Sequence, residues 1–408
     1  MRRKLGIWGI CALLFSCNLE NAEIGHPETF VKYFDFGQGN HVAQTSDEGF
    51  ICVGTYVGPQ GSEAQLIKTD DAGNVEWLMH YPQKAGNHVA ELAGGGYIFV
   101  GDNINGNASD AISSMAIMTT NNNGDPQDSV FIGDVNGVSN YHAQTFTFDT
   151  NGNLLVLGIY EDPNGFDRLI LTKIDISGTS LTQDWTKTYG IDQNNTDAGK
   201  SIHLNSTGEL IWSGSVFTSD ETSTNSYLKV YAVIPASEAS NGATQGENAT
   251  ENFFATDIAP IGNAFAIIGT KETGGVSTIY FLKVDHFGNI VSSSEQEIND
   301  EDIEQTDGSA NFEGSSVCST FDSGLILLGT RTTPVNDLYG NGDRDFILIK
   351  TNNSGVPNWW KILGGSGDEY GGTVIEATDN SIVIFGTSEF QGTPRMVLMK
   401  TTPQGVIY

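Results

Sequence analysis

The chain has 408 residues, of which 38% are hydrophobic and 10% aromatic, a composition that supports a buried core and excludes global disorder. Its 50 acidic and 19 basic residues give a formal net charge of −31, so nucleic acid and anionic lipid surfaces are poor partners. The 49 glycines are typical of an all-β protein with many tight turns. No long stretch has the hydrophobic period of a helix.

The first sixteen residues are predicted to be an export signal. A basic start, Met1–Lys4, precedes an apolar run from Leu5 to Phe15 that is too short to span a bilayer. The run ends in Leu14-Phe15-Ser16-Cys17, which resembles the lipobox of bacterial lipoproteins. By that resemblance Cys17 is lipidated, and a plain secretory signal is the alternative. We therefore expect a signal peptide over residues 1–16, an anchor and linker over 17–29, and a lipid-anchored protein of the cell envelope, at the outer membrane.

A short apolar segment runs into a glycine seven times along the chain. Successive glycines lie 47 to 60 residues apart, and a period of this length indicates an array of equivalent units. We expect each glycine to end the second strand of its unit. The glycines are Gly54, Gly101, Gly158, Gly214, Gly269, Gly329 and Gly386.

Each unit is predicted to contain four antiparallel strands, as in a propeller blade. The last unit stops after its third strand, and Phe30–Gly37 matches the missing fourth strand. The sequence therefore predicts an all-β, seven-bladed β-propeller over residues 30–408, with its ring closed by an N-terminal strand that completes the last blade. The fourth unit fits least well, because residues 233–252 form an irregular stretch.

A family resemblance supports this architecture. The segment Trp359–Gly371, with its G-G-S-G-D-x-Y loop, and the later Gly386-Thr387 resemble the bacterial seven-bladed β-propeller repeat. The match is close only in the sixth and seventh units. Together with the lipobox, the chain resembles Bacteroidota-type repeat lipoproteins. For function the resemblance implies only an analogy, since some relatives carry a bulb-type-lectin-like label that suggests glycan binding.

Candidate binding residues are expected where the innermost strands begin. His41 and His88 occupy equivalent positions in adjacent units, and Tyr141, Ser201, Ser316 and Thr373 fall at or near the same position elsewhere. Side chains at such positions would surround the channel mouth, where propellers bind ligands. We predict His41, His88 and Tyr141 as binding residues. Histidines with a purely structural role are the alternative.

One loop is a candidate calcium site. Asp337, Asn341, Asp343 and Asp345 offer closely spaced carboxylate and amide oxygens, which are the ligands that calcium takes. The same residue types also serve ordinary turns, which is the alternative. Cys52 and Cys318 lie in apolar strand segments and are expected to be buried core thiols.

The sequence favours a binding or assembly scaffold that recognises a protein or a glycan through an acidic loop face. Enzyme signatures are weak, and we expect no catalysis. Thr69–Asn74 resembles the sialidase Asp-box turn, but the aromatic residue of that motif is displaced to Trp77. A glycan-processing enzyme with its site at the channel mouth and a structural envelope protein are the alternatives. Trp77, Trp185 and Trp359 are expected to pack between blades, with sugar stacking as the other possibility.

Overall fold

The computed structural model describes residues 29–58, 61–105, 112–133, 140–189, 195–204, 208, 210–219, 224–233, 240–241, 244–245, 251–299, 310–332 and 343–408. These residues form strands and turns, and no helix is found among them. Within the same ranges no helical segment is long and apolar enough to cross a membrane. Cys17, Asp337 and Asn341 lie outside the described residues.

Twenty-eight strands lie in the described part of the chain and are numbered in chain order. The first twelve are β1 (Phe30–Gln44), β2 (Phe50–Gly58), β3 (Gly61–Thr69), β4 (Val75–Pro82), β5 (Lys84–Glu91), β6 (Tyr97–Asn105), β7 (Ile112–Thr120), β8 (Pro126–Ile132), β9 (Tyr141–Phe148), β10 (Leu154–Glu161), β11 (Asp167–Ser177) and β12 (Ser180–Tyr189). The next nine are β13 (Asn195–Leu204), β14 (Leu210–Ser219), β15 (Thr224–Val233), β16 (Ser240–Asn241), β17 (Thr244–Gln245), β18 (Asn252–Ile261), β19 (Ala264–Thr273), β20 (Val276–Val284) and β21 (Gln296–Ile298). The last seven are β22 (Asn311–Ser319), β23 (Leu325–Thr332), β24 (Arg344–Thr351), β25 (Pro357–Leu363), β26 (Glu369–Glu376), β27 (Ile382–Phe390) and β28 (Thr393–Thr401).

The strands pair antiparallel with their sequence neighbours. Four sheets have four strands each, and the first and last units share a seven-stranded sheet through β1, which confirms the predicted all-β class and, outside the fourth unit, the four strands per unit. In the fourth unit the short strands β16 and β17 both pair with β15, as its irregular sequence predicts. The long strand β1 belongs to two units: Phe30–Phe36 pairs with β28, and Gly37–Gln44 pairs with β2. This is the pairing that closure by an N-terminal strand requires.

The core lies between successive sheets. Each hydrophobic cluster combines residues of two neighbouring units, for example Ile51 and Leu66 of the first with Val89 and Phe99 of the second. A further cluster joins the last sheet to the first through Phe385 and Phe50. Because the second and third strands of a unit, such as β2 and β3, are covered on both faces, they contain continuous buried runs without a period of two.

The innermost strands contact one another in chain order. Strand β1 packs against β5, β5 against β9, β9 against β13, β13 against β18, β18 against β22, β22 against β26, and β26 against β1. With the sheets arranged in this way, the structure supports the β-propeller fold.

Asp70 holds a turn whose geometry is repeated in other units. Its Oδ1 accepts hydrogen bonds from the backbone N–H groups of Ala72 (3.1 Å) and Asn74 (2.7 Å). Asp285 and Asn352 hold the equivalent turns through the same two contacts. The resemblance of Thr69–Asn74 to an Asp-box therefore reflects a structural turn between the third and fourth strands.

The tryptophans and cysteines have packing positions. The Trp77 ring packs against Tyr97 of the next unit, 5.5 Å between centroids, and its N–H donates to the carbonyl of Asn122. Trp359 packs in the cluster between the sixth and seventh units. Cys52 is buried as expected. Cys318 differs from the expectation, because it is only partly buried and lines a central cavity.

Candidate functional site

Each innermost strand contains a β-bulge at the same position of its unit. In β1 the residues Gly39 and His41 pair with the adjacent residues Gly54 and Val53, so Asn40 is the extra residue. The equivalent shifts place Asn87, Gln144, Lys200, Thr256 and Ser315 as extra residues in the next five units, and one extra glycine of Gly371-Gly372 in the last. A bulge bends the strand and redirects the side chains that follow it.

The repeated glycines lie opposite these bulges, not at strand ends. Gly54 lies in the middle of β2, and its strand continues to Gly58, so the expectation that each glycine ends its strand is wrong. The reason for glycine is the close approach of the bulged backbone. A Cβ at Gly101 would lie 1.8 Å from the carbonyl oxygen of Ala85, and one at Gly269 would lie 2.0 Å from that of Phe254.

The bulges surround a central cavity of about 720 Å³, which we call the channel cavity. All seven inner strands contribute to its lining. The bulged residues and the residues that follow them form one part of the wall: Asn40, His41, Asn87, His88, Gln144, Thr145, Lys200, Ser201, Thr256, Asp257, Ser315, Ser316, Gly372 and Thr373.

His41 and His88, both predicted as binding residues, lie together in this wall. Their rings are 3.7 Å apart, and Phe146 stacks on His88 at 4.2 Å. Nδ1 of His41 accepts from the backbone N–H of Val89 (3.5 Å), and Nδ1 of His88 accepts from that of Phe146 (3.4 Å). Each histidine therefore joins its own unit to the next.

Burial keeps both rings neutral. It lowers the pKa of His41 to about 3. It also lowers the pKa of His88 well below the usual value, and the neighbouring His41 and His203 lower it further. A neutral imidazole that accepts at Nδ1 carries its proton at Nε2, so the remaining function of each ring is hydrogen-bond donation.

Tyr141 does not lie in the channel wall. It is the first residue of β9 and stacks on Tyr160 at 5.4 Å, so it packs against the second strand of its own sheet. The residue that follows the bulge in this unit is Thr145, whose Oγ1 lies 2.7 Å from Nδ1 of His88. Ser201, Ser316 and Thr373 do occupy the position of His41 in their units.

Asp257 and Lys200 are channel residues that sequence reasoning missed. Asp257 accepts hydrogen bonds from the hydroxyls of Ser201 (2.7 Å) and Ser316 (2.8 Å) and from the N–H of Val317 (2.9 Å). Burial raises the pKa of Asp257 despite these bonds. Lys200 is exposed to the channel, and partial loss of hydration lowers its pKa. Lys200 is the extra residue of its bulge and Asp257 follows the extra residue Thr256, and these positions became visible only through the strand register.

The predicted calcium ligands are described only in part. Asp345 is fully buried at the start of β24 and lies opposite Arg331 of β23, so it faces the inside of the sheet stack. Among the described residues no group of three or more His, Cys, Asp or Glu side chains is arranged to hold a metal. Because Asp337 and Asn341 lie outside those residues, the calcium site stays a prediction.

Comparisons with known proteins concern the fold. No protein-family model matches the chain, and no curated protein matches it. A protein of unknown function from Dyadobacter fermentans is similar in structure, with a TM-score of 0.52 and 9% identity over 78% of this chain and 94% of that one. Trypanosoma rangeli sialidase has a TM-score of 0.48 and 10% identity, over 91% of this chain and 59% of that one. Penicillium chrysogenum alpha-L-arabinanase, complexed with arabinobiose, has a TM-score of 0.47 and 11% identity, over 80% of this chain and 95% of that one.

At such low identity these similarities concern the fold alone. They do not test the expected absence of catalysis. That expectation stays a prediction.

Proposed function

We propose that the chain is a closed, seven-bladed β-propeller that binds a glycan in its channel cavity. Three features support closure of the ring: β1 pairs with β28, β26 packs against β1, and a hydrophobic cluster joins the last sheet to the first. With β1 in place, β28 is paired on both sides, and the closed ring gives a binding site to which every blade contributes.

The chemistry of the channel cavity supports a glycan. Its wall carries hydroxyl and amide groups, neutral imidazoles, the exposed Lys200 and the carboxyl group of Asp257. Such a wall offers donors and acceptors of nearly balanced charge, which suits an uncharged polyhydroxylated ligand. The volume of about 720 Å³ is that of a typical small-molecule site.

Binding without turnover is favoured because the strongest candidate catalytic groups are occupied. Both oxygens of Asp257 accept hydrogen bonds, and His41 and His88 accept backbone N–H groups of the next unit. A general acid or base needs a proton that it can exchange with the substrate. Turnover of a glycan would contradict binding without catalysis. Binding of a basic protein partner by this acidic chain would contradict a glycan ligand.

We further propose that the protein is exported and anchored through lipid on Cys17, in the manner of repeat lipoproteins. The Leu14-Phe15-Ser16-Cys17 motif supports this. Labelling with a fatty-acid analogue is expected to mark the wild-type chain in the membrane fraction. The Cys17→Ser variant should remain unlabelled, and equal labelling of both would contradict the proposal.

The channel proposal is tested by filling the cavity. The full chain is screened on a glycan array, and the best ligand is titrated calorimetrically. Gln144→Trp places an indole at a bulge in the channel wall and is expected to abolish binding. Gln127→Trp makes the same change on the outer strand β8, where Gln127 is exposed, and should bind as wild type. Unchanged binding by Gln144→Trp, or release of a product, would contradict the proposal.

A further inference from the structure

A second cavity, of about 350 Å³, lies where the last unit meets β1; we call it the junction pocket. It is lined by Tyr33, Gly365–Gly367, Glu369, Ser388, Glu389 and Arg395. These residues come from β1, β26, β27, β28 and the connection between β25 and β26. Tyr33 belongs to the part of β1 that pairs with β28, so the pocket exists only when this N-terminal segment is in place.

One wall of the junction pocket is held rigidly by a buried carboxyl group. Glu369 is 1% exposed. Its Oε1 accepts from the hydroxyl of Ser388 (2.6 Å), and its Oε2 accepts from the N–H of Gly365 (2.9 Å). A Cβ at Gly364 would lie 2.0 Å from Oδ1 of Asp345 and 2.4 Å from Oε2 of Glu369, so only glycine fits beside these two carboxyl groups. The Gly-Gly-Ser-Gly segment is thus fixed against the pocket.

Arg395 supplies the positive group of the pocket. Its guanidinium lies over the ring of Phe36, 4.9 Å from the centroid. Within the described ranges it forms no ion pair, and its Nε has no hydrogen-bond partner. In a chain with 50 acidic residues, a partly buried arginine without a carboxylate partner leaves donor groups available to a ligand.

Tyr33 supplies an aromatic surface. Its side chain is 53% exposed, a large fraction for an aromatic residue in a sheet. An exposed ring beside hydrogen-bonding groups is suited to stack on the apolar face of a sugar. The pocket therefore combines a stacking surface with hydrogen-bond donors and acceptors.

The charges of the pocket decide between ligand classes. Glu389 would repel an anionic ligand, and Arg395 would repel a cationic one. The hydroxyl groups of a neutral ligand can both donate to the carboxylate and accept from the guanidinium group. Burial raises the pKa of Glu369, and the nearby Asp345 and Asp368 raise it further.

We propose that the junction pocket binds a neutral sugar ring, stacked on Tyr33, that accepts hydrogen bonds from Arg395 and donates to Glu389.

The junction pocket is separate from the channel cavity but close to it. Strand β26 begins at Glu369 in the pocket wall, and its Gly371 lines the channel. At roughly 3.3 Å per residue the two walls are about 7 Å apart along the strand. A longer glycan could therefore reach both cavities, although neither site needs the other.

The test measures binding of neutral disaccharides of glucose, galactose, mannose and xylose to the full chain by saturation-transfer NMR and calorimetry. A uronic acid disaccharide and glucosamine are the charged probes. We expect a neutral disaccharide to bind best and to bind even when Gln144→Trp fills the channel. Tyr33→Ala should weaken this binding about tenfold, because a stacking contact is lost. Tyr33→Phe should retain it, and Arg395→Met should weaken it about fivefold through loss of donors.

Phe287→Ala is the matched control. Phe287 is 55% exposed, close to the 53% of Tyr33, but it lies in the turn after β20 and does not line the pocket. Equal binding by the Tyr33→Ala and Phe287→Ala variants, or preference for a charged probe, would overturn the inference. If Gln144→Trp abolishes binding and Tyr33→Ala leaves it intact, the junction-pocket inference is overturned and the channel proposal stands. The opposite pattern is the one expected for the junction pocket, and the channel proposal is then decided by the titration of its own array ligand. Absence of any saccharide binding would overturn both.

Discussion

At the scale of residues, the repeated glycine and the residue after it have two linked functions. The glycine lets the bulged inner strand approach. The following residue accepts a hydrogen bond from the backbone just before the bulge of the next unit. Thr55 accepts from Gly86 N–H at 3.3 Å, Ser215 from Ala255 at 2.9 Å, and Thr270 from Gly314 at 3.1 Å. The Gly-Thr ending of the repeat is therefore a contact between blades.

Gly101→Ala is expected to destabilise the protein by roughly 3 kcal/mol, because the added methyl group must displace a paired backbone. Its Cβ would lie 1.8 Å from the oxygen of Ala85. Gly94→Ala is the control, since no atom lies within 4 Å of its Cβ and its φ is not positive. Denaturant unfolding measures both. Equal stability of the two variants would contradict this account.

The neutral histidines predict a pH dependence of stability. Their folded pKa values lie below the unfolded value of about 6.5, so the unfolded chain binds more protons once the pH falls below that value. The stability is fully present above pH 6.5 and is lost as the pH falls toward the folded pKa, which is about 3 for His41.

We expect the unfolding free energy to fall between pH 7 and 5.5, with an uptake on unfolding that approaches about one proton per histidine. His41→Asn and His88→Asn keep an acceptor near the position of Nδ1 but cannot be protonated in this range. The double variant should lose most of the dependence, measured by urea unfolding at several pH values. A slope identical to that of wild type would show that these rings are not responsible.

At the scale of elements, lysines at the ends of third strands hold the turns between first and second strands. Lys350 is 8% exposed, and its Nζ lies 2.8 Å from Asp322 and 2.9 Å from the hydroxyl of Thr320. Its hydrogen bond lowers the pKa of Asp322 to about 2. Lys68 with Asp47 and Lys400 with Asp379 repeat the contact at 2.8 and 2.9 Å. The Lys-Thr strand endings of the sequence are explained by this pairing.

Lys350→Met is expected to cost about 1–3 kcal/mol, because a charged group that makes several hydrogen bonds is removed from a buried position. Lys361→Met, on the adjacent strand β25, is the control, since Lys361 forms no ion pair among the described residues. Thermal unfolding of both variants measures the difference. An equal change in Tm would mean that the turn contact contributes nothing.

At the scale of the whole molecule, the proposed closure of the ring depends on β1. Its first half completes the last sheet, and Phe34 packs near Phe385 at 6.4 Å between ring centroids. Tyr408 lies there as well, and its N–H donates to Oγ1 of Thr29 at 2.9 Å. Contacts between the first and last parts of the chain can form only after the units between them have been arranged.

Deletion of residues 30–36 is expected to unpair β28 and to cause aggregation, because an open edge strand can pair with another chain. Hydrogen exchange should show loss of protection in β28 and its sheet. A chain that begins at Thr29 is the control and should remain monomeric with unchanged protection. A truncated chain that is monomeric and equally protected would contradict ring closure by β1.

The sequence predicted the repeat, the all-β class, the four-stranded units and the segment that pairs with β28. These follow from local chemistry: apolar runs, turn residues and a fixed spacing. It did not reveal that the glycines face bulges, because a bulge is a property of two paired strands. Tyr141 was likewise assigned a position that Thr145, four residues later, occupies, because the register between β9 and β10 fixes which side chain reaches the channel.

The sequence by itself determined that the chain forms an array of equivalent four-stranded units, since each unit encodes its strands and turns locally. The tertiary structure alone decided which side chains share the channel cavity and which share the junction pocket. Asp257 meets Ser201 and Ser316 across 56 and 59 residues, and Tyr33 lies near Arg395 from the opposite end of the chain. No local pattern can encode such meetings, because strand register and the packing of sheets fix them.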